Sequence, residues 1–132
     1  MDRSSVDRIG ILGLAHVGDA VYELLVRTSL CEDGHTSVRE LHRLSVSLVK
    51  AASQAEASKR ILPLLDDEEL AVFRRGRNAQ VNTVPHSADI VDYHAATGLE
   101  ALFGWLYLLG RSDRLRFLYE TACRINGEAG EE

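Results

Sequence analysis

Proline and lysine are nearly absent from this chain, with only Pro63 and Pro85, and Lys50 and Lys59, in 132 residues. Cysteine is as scarce. Cys31 and Cys123 lie far apart and show no metal-ligand spacing, which reads as free thiols in a reducing compartment, the cytoplasm. There is no long hydrophobic run. The longest, Ala101 to Leu109, is about half of the roughly 20 residues a bilayer crossing needs, so no membrane partner is expected. The opening Met1-Asp2-Arg3-Ser4-Ser5 lacks the apolar core of a secretory signal. Aromatics make up 6%, too few for stacking platforms that read single-stranded bases, which leaves recognition of a duplex backbone open. An excess of positive charge is also missing: 15 Lys+Arg face 20 Asp+Glu, a net charge of -5, so no global basic footprint for nucleic acid exists.

What is present is helical periodicity nearly throughout, without repeats or low-complexity segments. The length is that of one domain. The spacing predicts a single all-α domain over 1–132, with a core from about 9 to 126 and a frayed tail over 127–132. The first long helix is expected from Leu14 to Leu30. A second helical stretch opens at Ser37, with Glu40 in capping-box position, bends near Ser45–Ser47 and ends at Pro63. Asp66 with Glu69 repeats the capping box and opens a helix through Ala79. Its acidic run reads as a favourable helix start. A loop follows from Gln80 to Ser87. A helix is then expected from Ala88 to Leu109, closed by Gly110, and a last one from a Ser112 cap to Ile125.

Two helices carry polar stripes on apolar bodies. In the first, His16, Asp19, Glu23 and Arg27 share one face. A solvated stripe is the ordinary account of such a pattern. Yet Asp19 and Glu23 are like charges four residues apart, and Arg27 relieves only Glu23. Gly18 sits in mid-helix, where it costs about 1 kcal/mol relative to alanine. That cost is explained if another backbone passes close by. The candidate neighbour is the Ala88–Leu109 helix, whose polar side chains after Tyr93 are His94, Thr97 and Glu100, and whose middle is lined by Ala95, Ala96, Gly98, Ala101 and Gly104. Asp19 and Glu100 from two such closely packed helices would reach one hard cation, Mg²⁺ being the natural choice. An arginine partner for Glu100 is the alternative, and the pattern leaves both open.

A third feature is Arg74-Arg75-Gly76-Arg77-Asn78, three arginines without an acid, leading into a loop that contains His86. One cation would suffice to compensate a helix dipole. Three, followed by a polar loop, point to a phosphate-tracking surface made by Arg74, Arg75, Arg77, Asn78 and His86.

Leu14-Ala15-His16-Val17-Gly18-Asp19-Ala20-Val21-Tyr22-Glu23 resembles the signature helix of the ribonuclease III family, and Glu100-Ala101-Leu102-Phe103-Gly104 resembles its second acidic motif. Ala15 and Thr97 stand where the family's usual motifs have a glutamate and an aspartate. Those departures, and an expected lack of a double-stranded-RNA-binding domain, are similar to the Mini-ribonuclease III branch, as are Arg75-Gly76-Arg77-Asn78-Ala79 and Ser53-Gln54-Ala55-Glu56. The resemblance implies an all-α, homodimeric, Mg²⁺-dependent endonuclease that cleaves double-stranded RNA. Asp19 and Glu100 would be its catalytic metal ligands, with Glu23 contributing through water. It further implies precursor 23S ribosomal RNA as substrate and admits a ribosomal protein as partner. The alternative is a catalytically inactive helical dimer that binds RNA or ribosomal protein.

Overall fold

The computed structural model describes the backbone over 1–80 and 89–131 and the side chains over 1–80 and 89–123. Among the described residues there are seven α-helices and no strand: α1 (Arg3–Asp7), α2 (Ile11–Glu32), α3 (Val38–Val49), α4 (Ala51–Ile61), α5 (Asp67–Arg77), α6 (Ile90–Leu108) and α7 (Ser112–Glu131). A 3₁₀ turn, Leu62–Leu64, joins α4 to α5 at Pro63.

α6 is the axis of the fold. Leu99, Ala101, Leu102, Phe103 and Leu106 are completely buried, and α2, α4, α5 and α7 pack around them. A helix that is apolar all round can be satisfied only at such a centre, where each large side chain contributes about 1.5–3 kcal/mol. Two of its neighbours come unusually close because glycines meet at the crossings. A Cβ on Gly18 of α2 would lie 1.6 Å from the Glu100 carbonyl oxygen, and one on Gly104 would lie 2.0 Å from the Leu14 oxygen. On the α5 side, a Cβ on Gly76 would lie 2.9 Å from the Cα of Gly98 and 2.8 Å from the Ala101 Cβ. The mid-helix glycine therefore has the close neighbour its sequence position implied.

The local signals act as expected at several ends. The Asp66 carboxylate accepts from the Glu69 N–H at 2.8 Å, and Glu69 accepts in return from the Asp66 N–H at 3.0 Å. Gly110, at φ 76°, lets the Arg111 N–H reach back to the Leu106 oxygen at 3.0 Å. Other boundaries differ. α1, not anticipated, is capped by the Asp2 side chain and adds Val6 to the core. The stretch from Ser37 does not bend at Ser45–Ser47. It breaks at Lys50, whose ψ of 158° is extended, because side chains of the next helix take up the freed carbonyls: Ser53 Oγ donates to the Ser47 oxygen and Gln54 Nε2 to the Val49 oxygen, both at 2.8 Å. α7 takes its first helical bond from the Arg111 oxygen, one residue before Ser112. It runs to Glu131, past Ile125 and into the segment expected to fray, with no proline in its path.

Gly18→Ala tests the crossing. Backbone on both sides leaves the added methyl nowhere to go, so about 3 kcal/mol or more should be lost. A fall of roughly 10 °C in melting temperature, or loss of soluble protein, is expected; an unchanged melt would show that α2 and α6 do not meet there.

Candidate active site

The Gly18 crossing delivers the two acids. Asp19 follows Gly18 on α2, and Glu100 owns the carbonyl that Gly18 touches. Asp19 is exposed, whereas Glu100 is half-buried. Burial pushes the Glu100 carboxyl up to about 7; a hydrogen bond from Gln54 opposes the rise, and the negative charge of Asp19 adds to it. The Gly18 contact brings the stretches of α2 and α6 that carry the two acids against each other. Among the described residues Glu100 has no ion-pair partner, so the arginine alternative is not what the fold supplies. Its partner is the amide of Gln54, whose Nε2 donates to Glu100 Oε2 at 3.1 Å.

Glu23, one turn from Asp19, accepts from Arg27 Nε at 3.1 Å and Nη2 at 2.5 Å. No group of three or more His, Cys, Asp or Glu side chains able to hold a metal comes together among the described residues. Ala15 and Thr97, at the positions where the resembling motifs carry acids, are buried, and the Thr97 hydroxyl donates to the Tyr93 oxygen at 3.0 Å. The donor set is thus two carboxylates, and the Gln54 amide bonded to one of them has its Oε1 buried without a hydrogen-bond partner among the described residues. Oxygen-only donors with uncompensated negative charge fit a hard divalent cation that retains part of its water. On these observations the residues fit Mg²⁺.

Sequence reasoning missed the role of Gln54. It appeared within Ser53-Gln54-Ala55-Glu56, but an uncharged polar residue on an amphipathic helix reads as surface. The available signal was a glutamine set among Ala51, Ala52, Ala55 and Ala57, on a helix with little else to cover it.

Arg74, Arg75, Arg77 and Asn78 are exposed at the end of α5. None of these arginines forms an ion pair among the described residues; Arg77 instead donates to Asn78 Oδ1 at 3.2 Å and lies 5.9 Å above the Phe73 ring. Through Gly76 this turn touches α6 at Gly98 and Ala101, on either side of Glu100. The fold therefore brings the basic turn to the stretch of α6 that carries the acid. His86 lies outside the described residues.

The ribonuclease III domain family matches residues 12–111. A Mini-ribonuclease 3 of Desulfitobacterium hafniense is 46% identical over 127 residues, covering 96% of this chain and 80% of that protein. A Mini-ribonuclease 3 of a Thermoanaerobacter species is 42% identical, covering 95% and 88%. A crystal structure of a Fusobacterium nucleatum protein has the same fold, with a TM-score of 0.81 at 30% identity and coverage of 92% and 95%.

The buried acid has a measurable consequence without metal. A carboxyl near 7 in the fold and near 4.5 unfolded carries no stability penalty well below 4.5. The penalty grows as pH rises between the two values and is constant above 7. In chelator, Glu100→Gln should therefore melt roughly 5 °C above the parent at pH 8 and together with it at pH 4. Thermal scans giving the same difference at both pH values would reject a buried, raised carboxyl.

Proposed function

The chain belongs to the ribonuclease III family, in the branch of the Mini-ribonuclease 3 proteins, and is an endoribonuclease, a phosphodiester hydrolase; we propose that it cleaves double-stranded RNA, that it requires Mg²⁺ and that it works as a homodimer. The supporting observation is the pair of acids at the glycine crossing, together with a turn of exposed arginines, unpaired among the described residues, that meets α6 through Gly76.

Mg²⁺, when bound, lowers the pKa of a water and neutralises charge in the transition state. Asp19 and Glu100 would hold it, with Glu23, engaged by Arg27, contributing through water. Being exposed, Asp19 is on the side open to substrate, while Glu100 is held in one orientation by Gln54. No protein nucleophile is required. Arg74, Arg75, Arg77 and Asn78, with His86 further along the sequence, take the phosphates and align the duplex. With a net charge of -5, contacts to a polyanion have to be concentrated, and this turn is the densest site for them. Cutting both strands needs two centres of opposite polarity, which a two-fold axis supplies. The branch supports precursor 23S ribosomal RNA as the natural substrate, in the cytoplasm, with a ribosomal protein as an accessory partner.

Cleavage of duplex RNA with and without Mg²⁺ tests the reading. Asp19→Asn and Glu100→Gln should each lower the rate by about 10³-fold or more, several kcal/mol of barrier, with the fold intact and without rescue at raised Mg²⁺. Wild-type rates from either variant would reject the two-helix site, whereas no Mg²⁺-dependent cleavage by the parent chain would favour the inactive RNA-binding alternative. Replacing Arg74, Arg75 and Arg77 together by alanine should raise KM and flatten its salt dependence, because fewer counterions are released on binding. An unchanged KM and salt slope, with an unchanged melt, would return the turn to helix capping.

A further inference from the structure

Gln54 is only 2% exposed, and its amide is arranged in an unusual way. Both donor directions of Nε2 are in use, to the Val49 oxygen at 2.8 Å and to Glu100 Oε2 at 3.1 Å. This fixes which end is nitrogen. A flipped amide would set Oε1 against a backbone carbonyl and a carboxylate, two oxygen–oxygen repulsions. The orientation that satisfies both acceptors leaves Oε1 buried and unpaired, at a cost of about 1–3 kcal/mol.

Capping the end of α3 does not explain the arrangement. One N–H suffices for the Val49 carbonyl, and the hydroxyl of Ser53 does the equivalent work for Ser47 without leaving any buried atom unpaired. The second donor goes to the one half-buried acid of the site. It occupies Oε2 of Glu100 and leaves the other carboxylate oxygen without a hydrogen bond among the described residues. An amide oxygen can only accept, so Oε1 calls for a donor. Next to the Glu100 carboxylate, bound water supplies such a donor.

We propose that Gln54 is a positioning residue for the metal site, its N–H holding Glu100 Oε2 so that the other oxygen faces the cation, and its Oε1 accepting from water held beside it. The inference rests on the reading of Asp19 and Glu100 as cation ligands. Gln54 spans the break between α3 and α4 on one side and α6 on the other, so the break at Lys50 is what places it.

The test is direct Mn²⁺ binding by the full chain without RNA, followed by electron paramagnetic resonance. Gln54→Met, close in size and lacking both donor and acceptor, should weaken binding by about 10-fold or more, the usual effect of losing an orienting partner. Ser53→Ala removes the neighbouring side-chain bond across the same break and should leave the affinity within about twofold of wild type, since Ser53 does not bond to either acid. If Gln54→Met does not fold, Gln54→Asn, which keeps the amide but is too short to bridge both acceptors, should weaken binding in the same way. Unchanged Mn²⁺ affinity in the folded variant, or an equal loss in Ser53→Ala, would overturn the proposal. If Asp19→Asn and Glu100→Gln also leave Mn²⁺ affinity unchanged, the acidic pair itself is not the cation site, and the failure belongs to that reading.

Discussion

The contact of the Gly18 backbone with the Glu100 carbonyl organises everything else in this protein. It lets α2 approach α6 as closely as two polypeptide backbones can, since a single added carbon would overlap the carbonyl oxygen. Gly104 repeats the contact one turn along α6, against Leu14. With no side chain between them, the helices bring adjacent acids together and enclose the apolar segment that follows Glu100. Burial of that segment then commits α4, α5 and α7 to their places around it.

The same crossing creates an electrostatic problem. A carboxylate half-removed from water loses hydration, and a second acid nearby adds repulsion. The fold answers elsewhere with an ion pair: buried Glu69 is held by Arg114 at 2.7 and 2.8 Å. At Glu100 it supplies a neutral amide instead, which orients the carboxylate without cancelling its charge. The contrast between the two glutamates separates an acid neutralised by an arginine from one whose charge is left uncancelled among the described residues. The arginines of the α5 turn, which meets α6 through Gly76, are exposed instead.

Much of this was legible in the sequence, because its strongest signals are those of backbone packing. A glycine in mid-helix beside an acid, facing a second helix of small residues, implied a close crossing, and the apolar run after Glu100 implied the central helix. The Asp66–Glu69 box and Gly110 marked real ends. The break at Lys50 was not legible, because neither glycine nor proline marks it; side-chain bonds from Ser53 and Gln54 stabilise it after the chain has folded back. The part played by Gln54 was hidden for the same reason. Its significance lies in what it touches 46 residues away, not in its local pattern. α1 was missed because a helix of five residues has too few positions to show a period.

The elbow between α3 and α4 has a consequence for how such a chain can change over generations. A turn built on glycine or proline tolerates free exchange of its neighbours, since the backbone preference travels with one residue. Here the turn depends on two polar side chains of the helix that follows, and one of them also touches the acid on α6. Drift at position 54 is therefore constrained twice, by the path of the chain and by the bond to Glu100, while Lys50 at the apex of the turn, which is exposed, is free to vary. In a comparison of related sequences, the invariant mark of this elbow would lie four residues beyond the bend itself.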